Sequence, residues 1–105
     1  MNSGDVFEFR VQKTQGHKQS GVRLGVVVQS DLMNKLSTVL VAPTSKSARA
    51  ASFRPLINIG GEETKVLVEQ IAVADSQRLG RKVGSLSAEE LWSLDDAISL
   101  VMGLG

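Results

Sequence analysis

Apolar and polar positions alternate at the start of the chain and give way to short apolar runs further on. Residues 6–11 (VFEFRV) alternate, which predicts a strand with one buried face. Residues 22–29 (VRLGVVVQ) are almost continuously apolar, which is typical of a central strand buried on both faces. Residues 36–42 predict a third strand ended by Pro43, and residues 44–52 (TSKSARAAS) predict a polar loop.

The second half of the chain predicts further short strands joined by turns. Residues 53–59 favour an edge strand because Pro55 interrupts them, and the two glycines of 60–61 predict a turn. A β-branched run at 64–71 (TKVLVEQI) indicates another strand. A last strand is expected at 82–86, and short helical turns are expected at 31–35 and 76–79.

The clearest local signal is a helix at the end of the chain. Ser87 and Glu90 have the spacing of a capping box, and Leu86 and Leu91 that of a hydrophobic staple. Apolar residues follow at helical spacing, and Gly103 predicts the end; the apolar stripe is Leu91, Leu94, Ile98 and Val101. The whole pattern predicts a mainly β fold, a small and partly open barrel with a C-terminal amphipathic helix.

Composition limits the classes of protein that the chain can represent. Its 105 residues predict one domain, residues 1–105, and it has no cysteine for a disulfide or a thiolate metal site. No apolar run approaches the roughly 18 residues of a membrane span, and residues 1–10 lack the apolar region of a signal peptide. A cytoplasmic protein without a membrane partner is therefore expected.

The small net charge of +1 conceals an uneven distribution. All 12 Lys and Arg residues fall within residues 1–82, whereas residues 83–105 carry only acidic charges. A basic body suits a polyanionic partner such as a nucleic acid. Oppositely charged faces that only maintain solubility explain the pattern equally well.

Candidate chemistry centres on residues 16–45, where one cation and one hydroxyl stand at strand ends. Arg23 precedes the apolar run of 24–28, and Thr44 follows Pro43. A planar guanidinium suits a phosphate, and a hydroxyl can donate to a phosphate oxygen. The alternatives are an ion-paired arginine and an ordinary turn threonine. Because the chain has one histidine and no cysteine, no metal-site spacing is present.

Other polar residues have both functional and structural interpretations. His17, the only histidine, is either a solvated loop residue or an acid–base group. Glu69 and Gln70 either hydrogen-bond to a loop or belong to a site. A basic group can follow a phosphate backbone or simply be solvated, with Phe53 beside it for base stacking; its members are Lys46, Arg49 and Arg54.

Taken together, the segments resemble a known family. The order GDVFEF, GHKQSGVR, VVVQSD, NKLSTVLVAPTS, VLVEQI, ADSQRL and VGSLS before a final helix is similar to that of the MazF/PemK toxins of bacterial toxin–antitoxin pairs. The resemblance implies an SH3-like barrel that forms a homodimer and cuts single-stranded RNA without a metal or other cofactor. It also implies a cognate antitoxin protein that blocks the RNA groove.

The resemblance further implies roles for particular residues. Arg23 matches the catalytic arginine and Thr44 its partner threonine, while His17 and Glu69 match acid–base positions of some members. The reaction would be attack of a ribose 2′-oxygen on the adjacent phosphate, which leaves a 2′,3′-cyclic phosphate. The RNA-binding positions expected in addition are Gln19, Ser45, Lys46, Arg49, Phe53, Arg54 and Gln70.

Three departures from the family pattern concern this site. Leu24 follows the arginine where proline is usual, and Lys18 stands where glutamate is frequent. Pro43 precedes Thr44 directly, without the usual intervening residue, so either Thr44 or Ser45 takes the position of the catalytic hydroxyl.

The fold leaves a second function open. A toxin that binds DNA gyrase without cutting RNA, as the CcdB toxins do on the same fold, would use the terminal helix as its active surface. Trp92 and Leu100 lie off the apolar stripe of that helix, which favours a homodimer, unless both complete the core of their own chain.

Overall fold

Seven β-strands and one α-helix make up the regular structure of the described part of the chain. The computed structural model describes residues 1–10 and 22–104. The elements are β1 (Asp5–Arg10), β2 (Val22–Val27), β3 (Thr38–Ser45), β4 (Leu56–Ile59), β5 (Glu62–Val66), β6 (Ala72–Asp75), β7 (Leu79–Ser85) and α1 (Ala88–Met102).

The strands form one curled sheet in which neighbouring strands run antiparallel. The order is β4-β5-β3-β2-β1-β7, and β6 pairs with residues 38–41 of β3. The two ends of this order approach each other, because a Cβ placed on Gly84 of β7 would lie 3.4 Å from Ile59 of β4. The predicted mainly β, partly open barrel with a C-terminal helix is confirmed.

Strand β3 holds the sheet together because it pairs with three other strands in turn. Its residues 38–41 pair with β6, residues 41–43 with β2, and Thr44 and Ser45 with β5. The prediction that Pro43 ends this strand is wrong, and so is the loop assignment of Thr44 and Ser45. Pro43 lies where β3 passes from β2 to β5, and its carbonyl accepts a hydrogen bond from Leu67 N.

The segment after β5 also differs from its prediction. The strand expected over residues 64–71 is shorter, and a 3-10 turn, Val68–Gln70, follows it. The Gln70 and Ile71 amides bond back to the Leu67 and Val68 carbonyls, so the chain turns from β5 towards β6. Glu69 therefore lies on a turn. Phe53 lies outside β4, since that strand begins after Pro55.

Other local predictions hold. The 3-10 turns Asp31–Met33 and Ser76–Arg78 occupy the expected positions, and Gly60 and Gly61 make the β4–β5 turn with φ of 63° and 86°. Positive φ values of this kind are accessible to glycine at little cost.

Helix α1 begins and ends as its sequence predicts. The Ser87 side chain accepts from Glu90 N, the Glu90 side chain accepts from Ser87 N, and Gly103 is left-handed at φ 71°. Leu94 and Ala97 are buried against the sheet. The interpretation that Trp92 and Leu100 complete the core is wrong, since they are 69% and 54% exposed.

The larger of two buried apolar clusters in the described residues lies between α1 and the inner face of the sheet. Its buried residues come from both halves of the chain, namely Val6, Val26, Ala42, Ile57, Val66, Val68, Leu86, Leu94 and Ala97. Within the part of the chain that the structure describes, no helix is long and apolar enough to cross a membrane.

Candidate active site

A pocket opens where β2 and β3 separate. Along β2 from Val27 back towards Val22, Gly25 is the last residue that pairs with β3, and Arg23 and Leu24 beyond it pair, among the described strands, with β1 alone. Beyond Pro43, β3 turns to pair with β5. The space left between the strands is about 280 Å³, and its lining residues are Arg23, Leu24, Thr44, Ser45, Lys46, Ile59, Glu62 and Thr64.

Side chains replace the missing backbone ladder across this gap. The Arg23 guanidinium donates to the Thr44 carbonyl at 2.8 Å, and the Thr44 hydroxyl donates to the Leu24 carbonyl at 3.2 Å. Thr44 is 7% exposed, while Arg23 is half-buried. The predicted cation and hydroxyl are thus brought together, and the remaining N–H groups of the guanidinium are left for an anion.

Ser45 and Lys46 line the same pocket. The Ser45 hydroxyl oxygen accepts from Ala48 N at 3.1 Å, so its own proton can be donated elsewhere. Lys46 forms an ion pair with Glu62, a residue that no sequence motif singled out. The hydrogen bond from Lys46 lowers the pKa of the Glu62 carboxyl. The wall of the pocket therefore carries cationic groups, hydroxyl groups and the Glu62 carboxylate.

A second cluster joins the loop after β3 to the 3-10 turn after β5. The Arg54 guanidinium contacts the Glu69 carboxylate at 2.6 and 3.1 Å, and it also donates to the Arg49 carbonyl at 2.9 Å. Gln70 donates to the same carboxylate at 3.4 Å, and Arg54 lies 5.6 Å from the centre of the Phe53 ring.

The ion pair changes the chemistry available to Glu69. The hydrogen bonds from Arg54 lower the pKa of the Glu69 carboxyl, against the smaller effect of partial burial. A carboxylate with a lowered pKa is a weaker proton acceptor at neutral pH. In this geometry Glu69 restrains the loop that carries Arg49 and Arg54, and a direct role as a base requires it to leave Arg54.

Comparison with known proteins places the chain in a family. Residues 2–102 match the profile of the PemK-like, MazF-like toxins of type II toxin–antitoxin systems. The chain is 33% identical, over 108 aligned residues, to the endoribonuclease MazF of Staphylococcus epidermidis; the match covers 96% of this chain and 90% of that protein. The chain belongs to this toxin family.

Solved structures support the fold of this family member. One is an endoribonuclease from a mycobacterial species, solved in complex with its cognate antitoxin. The match has a TM-score of 0.82 and 15% sequence identity, and it covers 100% of the present chain and 97% of the mycobacterial one. The MazE–MazF complex of Deinococcus radiodurans gives the same TM-score and coverages with 18% identity. At these identities the two matches establish the fold.

The toxin's site differs from the sequence expectation in its membership. His17 and Gln19 lie outside the residues that the structure describes. Three lining residues were missed, namely Ile59 on the apolar side and Glu62 and Thr64 on β5, whereas Leu24, noted above as a departure from the family pattern, also lines the pocket. The one sequence signal for Glu62 is its place directly after the turn glycines Gly60 and Gly61. That turn pairs Glu62 with Ile59 of β4, which lines the same pocket.

Among residues 1–10 and 22–104, no group of three or more His, Cys, Asp or Glu side chains could hold a metal ion.

Proposed function

We propose that this toxin is an endoribonuclease that cuts single-stranded RNA without a metal ion or other cofactor. The observation that carries the proposal is the Arg23–Thr44 pair, which is preorganised by two hydrogen bonds at the wall of an open pocket. Family membership and the name of the staphylococcal relative support the activity. We propose likewise that residues 1–105 form one toxin domain.

The chemistry that suits this pair is internal transesterification. The ribose 2′-oxygen attacks the adjacent phosphorus, the bond from phosphorus to the 5′-oxygen breaks, and the products are a 2′,3′-cyclic phosphate and a 5′-hydroxyl. The 2′-hydroxyl proton passes to a base, and the 5′-oxygen receives a proton. Charge that develops on the phosphoryl oxygens is stabilised by Arg23, and a hydroxyl donor beside it adds to that stabilisation.

The remaining predicted residues receive two kinds of role in this proposal. His17 serves as the acid or base that moves the protons, since imidazole titrates near neutral pH. Glu69 either shares that task after leaving Arg54 or restrains the basic loop. RNA is held by the pocket wall and the loop cluster, with the contacts assigned to Gln19, Ser45, Lys46, Arg49, Phe53, Arg54 and Gln70.

Replacing Thr44 with valine distinguishes the two candidate hydroxyls. We propose that the Thr44 hydroxyl turns from the Leu24 carbonyl to the phosphate when RNA binds. We therefore expect Thr44→Val to lower the cleavage rate about 10²-fold, because it removes that donor, and Thr44→Ser to retain most of the rate. Ser45→Ala is expected to weaken RNA binding with a smaller effect on the rate at saturating RNA. Single-turnover cleavage of a labelled RNA measures both quantities.

The matched control for that prediction is Thr38→Val, at the exposed far end of the same strand. It makes the identical chemical change outside the pocket and is expected to leave the cleavage rate unchanged. A Ser45→Ala rate lower than that of Thr44→Val would assign the catalytic hydroxyl to Ser45.

We also infer a homodimer, a cytoplasmic location and a cognate antitoxin as partner. Trp92 and Leu100 are large apolar side chains exposed on α1, as is typical of a surface that pairs. Single-stranded RNA as substrate suits the cytoplasm. The mycobacterial neighbour is solved with its cognate antitoxin, and the Deinococcus radiodurans neighbour is a MazE–MazF complex, which supports a partner of the same kind here.

Charge placed on the exposed helix face should separate the subunits. Trp92→Glu is expected to weaken the dimer at least tenfold, because a carboxylate would be buried in an apolar interface. Sedimentation equilibrium measures the dissociation constant. Leu32→Glu, at a 90% exposed leucine outside α1, is the matched control and should leave it unchanged. A wild-type chain that sediments as a monomer would contradict the dimer.

One comparison tests the proposed activity against the gyrase alternative. The purified toxin is incubated with mixed single-stranded RNA and, in parallel, with DNA gyrase in a supercoiling assay. We expect the RNA to be cut and supercoiling to proceed. Intact RNA with inhibited gyrase would overturn the proposal.

A further inference from the structure

The pocket beside Arg23 and Thr44 has the build of a site for one small planar group. Leu24 and Ile59 supply its apolar surface, while Lys46, Glu62 and Thr64 supply polar groups on the side of the β4–β5 hairpin. Its volume of about 280 Å³ is at the lower end of the range for small-molecule sites, so it suits one base and not a longer stretch of RNA.

A carboxylate in this position is unexpected for an RNA-binding surface. Each phosphate repels Glu62, which costs affinity unless the carboxylate accepts hydrogen bonds from another part of the RNA. The partial compensation by Lys46 is weak, because the two side chains are 64% and 68% exposed and exposed ion pairs contribute little. Donor groups on base edges are the natural partners for such a carboxylate.

The ion pair presents a donor next to acceptors. The Lys46 ammonium has three N–H groups, so it can contact Glu62 and still donate to a ligand, and the ionised Glu62 carboxylate only accepts. A ligand that matches both side chains has an acceptor beside donors on one edge. Among RNA bases, guanine has this edge, with O6 as acceptor followed by the N1–H and N2–H donors.

We propose that this pocket binds one guanine base of the RNA, with Glu62 accepting from N1–H and N2–H and Lys46 donating to O6. Adenine, cytosine and uracil each match the pair with one hydrogen bond fewer. The inference rests on the proposed function, since it places the base beside the phosphate that Arg23 contacts. It makes Glu62 a specificity-determining residue of the toxin.

The matched variants are Glu62→Gln and Glu63→Gln. Both remove one negative charge from β5 without a change of size, and successive strand residues point to opposite faces of the sheet. Glu63 is exposed and does not line the pocket in the described part of the chain. The two variants therefore share any effect of net charge on phosphate binding. A change in base preference that only Glu62→Gln causes is attributed to the Glu62 side chain.

The experiment compares the wild type and both variants on a random pool of single-stranded RNA, with the bases flanking each cut read by sequencing. We expect guanine to be preferred about tenfold or more at one position near the cut, since a hydrogen bond to a charged group is worth about that factor. Glu62→Gln should reduce this preference to about threefold or less, whereas Glu63→Gln should preserve it. Preferences at other positions should not change.

A second pool with 2′-O-methyl riboses, which cannot be cut by 2′-oxygen attack, reports selection by binding alone. If the natural pool binds but is not cut, the nuclease assignment is contradicted, and the bases enriched in the bound RNA then test the guanine site. Cleavage with no guanine preference, or with a preference that Glu62→Gln preserves, would overturn the guanine site while the nuclease stands. If neither pool binds, both the nuclease assignment and the guanine site are overturned.

Discussion

Replacing Arg23 with alanine is expected to lower the rate of RNA cleavage by about 10²–10³-fold. The guanidinium carries the positive charge that faces the phosphate, and removal of one preorganised donor at developing negative charge costs a factor of this size. Arg23→Lys should recover only part of the rate, because an ammonium keeps the charge and loses the planar pair of donors. Single-turnover cleavage at saturating RNA measures the chemical step directly.

Two controls separate this effect from misfolding. Arg23 also donates to the Thr44 carbonyl, so the melting temperature of Arg23→Ala has to be compared with that of the wild type. Arg81→Ala removes an arginine that is 76% exposed, lies outside the pocket and contacts Glu8 at 3.7 Å, and it should leave cleavage unchanged. Full activity in Arg23→Ala would remove Arg23 from the catalytic site.

Replacing Leu94 with alanine is expected to destabilise the toxin by about 2–5 kcal/mol. Leu94 is fully buried and anchors α1 to the sheet, and a Leu→Ala change in a core loses both transfer energy and packing around the new cavity. A loss of this size lowers the melting temperature by at least about 10 °C in a chain of this length. Thermal unfolding followed by circular dichroism at fixed protein concentration measures it.

The same substitution at an exposed leucine is the control for that prediction. Leu32→Ala, at a position 90% exposed, is expected to change the unfolding free energy by less than about 0.5 kcal/mol. Equal losses from the two variants would show that α1 is not anchored through Leu94.

Local sequence signals predicted the parts of the fold that depend on local chemistry. The capping box of Ser87 and Glu90, the left-handed Gly103 and the glycine turn at 60–61 each follow from contacts within a few residues. The apolar run of 22–29 also indicated a central strand, because burial on both faces leaves no polar period. These signals were sufficient for the fold class.

The strand boundaries failed where a distant segment decides them. Pro43 looked like a strand end, yet Leu67 N, far along the chain, donates to its carbonyl and β5 continues the pairing. Glu69 looked like a strand residue, yet the turn from β5 to β6 along one edge of β3 requires a 3-10 turn there. Propensity over short windows contains no information on such pairings.

The candidate site was predicted only in part for the same reason. Arg23 and Thr44 were found because each stands at the end of an apolar run, and the resemblance to a family joined them. Glu62 was missed because its position in the pocket depends on the pairing of β5 with β4 and β3. The Arg54–Glu69 contact likewise joins two loops whose proximity only the fold determines.

The most direct test of the nuclease assignment is incubation of the purified toxin with mixed single-stranded RNA in excess EDTA. We expect cleavage to continue in EDTA, the upstream fragments to end in 2′,3′-cyclic phosphate and the downstream fragments to begin with a 5′-hydroxyl. RNA that stays intact, or cleavage that stops in EDTA and resumes with added Mg²⁺, would contradict the assignment.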